Sequence, residues 1–176
     1  MRKTILILLG MVLAVLATTT GGGTGTPSGG GASSPDFTAT IGGVAVGITL
    51  PGDGWSQGAL SPGKFTINGP NSVSITVTPL NSAVGLNTGD MDALCKDKLA
   101  EKTNAVTTGT KVAVDKNSGG VTYALRYYTS GGNVHFVGVS GTGTCGVMFY
   151  AKVPTAQKNA MQTALKNILN ALALSK

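Results

Sequence analysis

Apolar and polar residues alternate in short stretches along most of this chain, and the pattern changes to a helical period only twice. Residues 36–50 (DFTATIGGVAVGITL) form two alternating runs around Gly42-Gly43, a pair that supplies the positive φ angles of a tight hairpin. Residues 51–55 (PGDGW) break the run, 64–68 read as a short strand, and Gly69-Pro70-Asn71 reads as a turn. In residues 72–80, Val73, Ile75 and Val77 fall on one face and Ser74, Thr76 and Thr78 on the other, which predicts a strand with one wet face. A loop is expected over 81–88.

The first helical period covers residues 90–105, where Met91, Leu94, Cys95 and Leu99 share a face. Asp90 or Thr88 is placed to cap it, and Asp92 suits the positive end of its dipole. Strands at 110–115, 121–129, 134–140 and 144–153 follow, separated by turns at 117–120, 130–133 and 141–143. Short turns between alternating strands specify an antiparallel meander. The second helical period, 155–174, carries a stripe of Met161, Leu165, Ile168, Leu169 and Leu172, with Thr155 as its cap, and a stripe of that width must cover a sheet. The expected class is α+β: an antiparallel sheet of about six strands with a helix on each face.

The N-terminus has a different character. Residues 1–3 (MRK) are basic and 4–17 (TILILLGMVLAVLA) are apolar, a run shorter than the roughly 20 residues a membrane span needs. With Val15-Leu16-Ala17 at its end, this reads as a secretory signal peptide over 1–17, an uncleaved anchor being the alternative. Thr18-Thr19-Thr20 stands where an acylated cysteine would be needed for a lipid anchor. Residues 18–34 (TTTGGGTGTPSGGGASS) read as a flexible linker, leaving 35–176 as one domain. The expected location is extracytoplasmic, periplasmic or secreted, with no stable membrane span after cleavage.

Loss of Arg2 and Lys3 lowers the net charge from +6 to +4, 11 Lys and Arg against 7 Asp and Glu. Without clustered basic residues interleaved with aromatics, nucleic acid is not an expected partner. Two cysteines remain, Cys95 and Cys145. In an exported chain an even count favours a disulfide, which would contribute about 4 kcal/mol across this separation and staple the first helix to the last meander strand; free buried thiols are the alternative. With two Cys and one His, a zinc site is short of ligands, and the acidic residues of the first helix lack the spacing of a calcium loop, so no metal or cofactor is expected.

Candidate chemistry is sparse. His135 is the sole histidine, and no Ser or Cys stands in a nucleophile-elbow context. No catalytic residue is assigned; a hydrolase would need a pair such as His135 and Asp115 in one pocket. Trp55, the sole tryptophan, follows a glycine-rich turn, and Arg126 shares a strand face with Tyr128. Trp55, Arg126 and Tyr128 are the candidate binding surface, each with a structural alternative.

In element order the chain resembles the PsbP-like (Mog/PsbP-type) α/β/α sandwich proteins, including secreted and DcrB-like bacterial members. The resemblance rests on the Pro51-to-Trp55 step, the strand at 72–79 and the helix at 90–105. It extends to the tyrosine-rich strand 123–128, the strand VHFVG at 134–138 and the closing helix. It implies a non-enzymatic scaffold that acts in binding, assembly or chaperone-like roles with protein partners; the expectation here is a monomer that binds another envelope protein. A small extracytoplasmic enzyme and a structural surface protein using its glycine-rich tail are the rival readings.

Overall fold

The computed structural model describes residues 34–80, 87–105 and 108–176. The signal peptide, all of the linker but Ser34, and most of the 81–88 loop lie outside the described residues.

The expected first hairpin forms, as β1 (Phe37–Ile41) and β2 (Val44–Ile48), with Gly42 and Gly43 at φ 55° and 77° in its turn. It does not join the main sheet. β2 pairs on its other side with β10 (Ala173–Ser175) at the C-terminal end of the chain, making a three-stranded antiparallel sheet in the order β1-β2-β10.

The main sheet has seven antiparallel strands in the order β3-β4-β5-β9-β8-β7-β6. They are β3 (Ser56–Ser61), β4 (Lys64–Asn68), β5 (Ser74–Pro79), β6 (Thr110–Lys116), β7 (Thr122–Ser130), β8 (Asn133–Gly141) and β9 (Gly146–Pro154). The predicted meander is β6 to β9, and β7–β8 turns on a second glycine pair, Gly131-Gly132, again at positive φ. β3, like β10, is a strand the pattern did not announce. It alternates poorly because it is an edge strand with a register shift between Gln57 and Leu60, so little of it is buried.

Two helices flank this sheet. α1 (Thr88–Thr103) is capped not by Asp90 or Thr88 but by Asn87, whose side chain accepts from the Asp90 amide at 2.8 Å. It lays Met91, Cys95 and Leu99 on β7 and β8, against Ala124, Val137 and Val139. α2 (Lys158–Asn170) packs on the opposite face with Met161, Leu165, Ile168 and Leu169. It is shorter than expected: residues 155–157 are a 3-10 turn, and Ala173 to Ser175 extend into β10. Thr155 caps nothing; its hydroxyl donates to the Gly132 carbonyl. The small sheet shares α2's side, and Ile41, Val46 and Ile48 join Phe65, Phe136 and Phe149 in one continuous core.

The expected Cys95–Cys145 bridge is not formed: both cysteines are free and buried. Alternation explains why. Cys145, Val147 and Phe149 point to the α2 side, whereas Cys95 packs on the α1 side, so the sheet stands between the two sulfurs. The Cys95 thiol lies 3.2 Å from the Val137 carbonyl, and burial pushes its pKa up to about 12.

Candidate binding cleft at Trp55

Trp55 is set by the turn that precedes β3. Gly54, at φ 79°, turns the chain where a side chain would be strained, and Gly69 leaves the space the indole fills. A Cβ on Gly69 would stand 2.8 Å from two indole carbons. The half-buried ring packs at the rim of the α2-side core, beside Met161 and Ala160 at the start of α2.

The indole divides two recesses. On one side Pro70, Val73, Ala160 and Met161 line a narrow slot of about 40 Å³, with Asn71 and Gln157 at its edge. The Gln157 Oε1 is buried there without a hydrogen-bond partner among the described residues. On the other side a broad recess of about 420 Å³ opens between Pro51, Trp55 and α2, where Asn159, Ala160, Thr163, Ala164 and Asn167 form the wall. That volume is within the range of small-ligand sites. Ring, prolines and small α2 side chains form an apolar floor, and four amides and a hydroxyl form a polar rim. No titratable side chain lines either recess. The arrangement can hold an apolar group and hydrogen-bond to amides around it; it offers no base, nucleophile or metal ligand.

The other two candidate residues are elsewhere. Arg126 and Tyr128 do share a face of β7, as read from the sequence, but it is the α1 face, across the sheet from Trp55. The three do not make one surface. Arg126 is a structural anchor. Its Nε and Nη2 donate to the Asp92 carboxylate at 2.9 and 3.0 Å, and Nη1 donates to the Thr108 carbonyl at 2.6 Å. This ties α1 and the segment before β6 to β7, and the guanidinium holds the Asp92 carboxyl below its usual range.

His135 lies on the α1 face with its Nδ1 3.0 Å from the Tyr150 hydroxyl, and burial, with Lys152 beside it, lowers its pKa. Asp115 pairs in register with Tyr123 on the α2 face, so the His135–Asp115 pair a hydrolase would need is split by the sheet. Among the described residues no group of three or more His, Cys, Asp or Glu is placed to hold a metal. None of their helices is long and apolar enough to cross a membrane.

Sequence reasoning found Trp55 but not the cleft wall. Asn159, Thr163 and Asn167 recur at steps of four along the polar side of the second helical period, and that row is the signal that was there to read.

No protein-family model matches the chain, and no curated protein matches it. Among solved structures it is similar to a protein of Bacteroides thetaiotaomicron VPI-5482, with 12% identity and a TM-score of 0.43 over 74% of this chain and 45% of that one; it thus spans under half that protein's length. It is also similar to LpqN of Mycobacterium tuberculosis, a protein involved in cell envelope biogenesis, with 12% identity and a TM-score of 0.45 over 78% of this chain and 89% of that one.

Proposed function

We propose that this is an exported, non-enzymatic binding module of the cell envelope, of the PsbP-like kind, that works as a monomer by seating a segment of another envelope protein in the Trp55 cleft. The observation that carries this reading is the cleft's composition: a half-exposed indole between two recesses, rimmed by amides, with no titratable group. A buried aromatic anchor surrounded by neutral hydrogen-bonding groups is how a few residues supply most of an interface's affinity. An apolar side chain fits against Trp55, and the peptide bonds on either side of it find partners in Asn159, Asn167 and the unpaired Gln157 Oε1. The apolar run and small residues of positions 4–17 support export.

The test is site-specific photo-crosslinking in the native envelope from Ala160, an exposed cleft position, and from exposed Lys116 as a distant control. A single protein adduct is expected from Ala160 alone. Trp55→Ala should weaken capture by about 2 kcal/mol, roughly 30-fold. Ala160→Arg, which fills the cleft from an exposed site without touching the core, should abolish it. No adduct from the cleft, or equal adducts from both positions, would sink the reading.

A further inference from the structure

On the α1 side the helix covers only part of the sheet, contacting β7, β8 and β6. Beyond buried Met148 of β9, the remaining part, from Tyr150 and Lys152 of β9 across β5 and β4, is polar, half-exposed and not covered by a helix among the described residues. In register across the strands stand Thr66, Thr76 and Tyr150, and in the next row His135 pairs with both Lys152 and Tyr128. His135 and Tyr150 form a joined ring pair, centroids 6.2 Å apart and tilted by 38°. Lys102, at the C-terminal end of α1, sits over the Tyr150 ring at 5.7 Å, and Lys152 is exposed beside His135.

Two features distinguish this face. The first is charge. The strands β3, β4, β5, β8 and β9 contain no Asp or Glu at all. The nearest carboxylate along α1, Glu101, is already paired with Lys98 at 2.7 Å. Lys102 and Lys152 have no ion-pair partner among the described residues. Two ammonium groups thus flank one pair of rings without a direct ion-pair contact, although Lys102 is near enough to Glu101 to act on its carboxylate. The second is shape. Five strands at about 4.8 Å spacing make a shallow platform about 19 Å wide from Tyr128 to Thr66, with hydroxyls along it. Its large apolar side chains, such as Leu80 and Met148, are packed against the α1 cluster; Leu60 is the one exposed large hydrophobic among the described residues, and it lies on an edge strand. An acyl chain or an apolar helix would find no exposed large aliphatic side chain here.

We infer that this face binds an anionic polysaccharide, with Lys102 and Lys152 pairing to its acidic groups and the His135–Tyr150 rings and Thr66 and Thr76 hydroxyls meeting its sugar rings and hydroxyls. Sugar faces stack on aromatic rings, sugar hydroxyls match a hydroxyl-bearing surface, and the unpaired ammonium groups select for negative charge. The site is across the sheet from the Trp55 cleft and does not depend on it.

Calorimetric titration of the full chain with polygalacturonate at low ionic strength tests this, with neutral dextran and double-stranded DNA as comparison polymers. Binding to polygalacturonate is expected, with none to dextran and weaker binding to DNA. The Lys102→Ala/Lys152→Ala variant should bind at least tenfold more weakly. Lys166→Ala/Lys176→Ala, which removes the same charge from exposed sites elsewhere, should bind as the parent does. Circular dichroism confirms that each variant is folded. Absence of binding to polygalacturonate would overturn the inference. So would equal weakening by the two double variants, or DNA bound as tightly, because either would mean that net charge alone is at work.

Discussion

The two faces of the seven-stranded sheet are built from alternate residues of the same strands, yet they do different work. The α2 face is closed from β4 to β7, with Phe65, Ile75, Phe136 and Phe149 fully buried under α2 and the small sheet. The α1 face is closed only where Met91, Cys95 and Leu99 reach, and beyond that it is threonine, tyrosine, histidine and lysine. One face carries the larger core, and the other combines a smaller core under α1 with half-exposed polar strand residues. The strands record this: β8 is buried on both sides over Phe136 to Gly141, whereas β5 alternates Ile75 and Val77 with Thr76 and Thr78. A strand under two layers is apolar throughout, and a strand under one layer alternates.

Neighbouring residues on β9 and β5 put the sharpest test to that division. Phe149→Ala opens the closed face and should cost about 3–5 kcal/mol. Met148→Ala, one residue away but under α1 and 7% exposed, should cost about 2 kcal/mol. Thr76→Ala on the open face should stay within about 0.5 kcal/mol. Urea unfolding of the three variants measures the ranking; a Thr76→Ala loss comparable to that of Met148→Ala would show that the open face is not open.

Arg126 tests how the partial cover is held. Its side chain spans α1, the segment before β6 and β7, so Arg126→Ala should cost about 2 kcal/mol, the scale of hydrogen bonds to charged groups. The pH dependence has a definite sign. Because Asp92 is held below its usual carboxylate pKa in the folded state, its contribution is present at neutral pH and is lost as pH falls through the carboxylate range. Arg126→Ala should flatten that acid limb of the stability curve.

How much of this was legible in the sequence follows from the same geometry. Elements with a buried face were read correctly, including the first hairpin, β5, the meander and both helices, because burial imposes a period. β3 was missed because an edge strand with a bulge has no face to bury. β10 was read as the end of a helix because Leu172 to Leu174 continue an apolar stripe, and nothing local says that the chain leaves α2 to pair with β2. The disulfide was expected from a count of two, when the deciding fact was parity: Cys145 is in phase with Phe149, which faces away from α1. Of the candidate surface, Trp55 was singled out by rarity, and it lines both recesses. The pairing of Arg126 with Asp92 was not legible, because charge alone does not distinguish a free guanidinium from a bound one.

The cysteines carry the next prediction. Separate faces mean two free thiols, so mass spectrometry after alkylation in denaturant should show two added groups without prior reduction. In the native state Cys95 should resist alkylation at pH 8, because burial holds its thiol protonated. A chain that takes up no label until reduced would put the two sulfurs together and break the two-face description.

The smallest effect belongs to His135, and it bears on stability and binding with opposite signs. Burial first and Lys152 second lower its pKa, so the fold favours the neutral ring. The unfolded chain therefore takes up the proton first as pH falls, and stability held above the ordinary histidine range declines below it. His135→Gln should remove that shallow slope between pH 7.5 and 5.5, with a change smaller than any above. The groups around the ring are Tyr128, Tyr150 and Lys152, with Lys102 over Tyr150, and none is a carboxylate. A protonated His135 would therefore add a third cation to the open face, and polygalacturonate should bind more tightly at pH 5.5 than at 7.5 even as the fold weakens. Binding that tracked stability downward would show that the open face is read through the integrity of the fold and not through its charge.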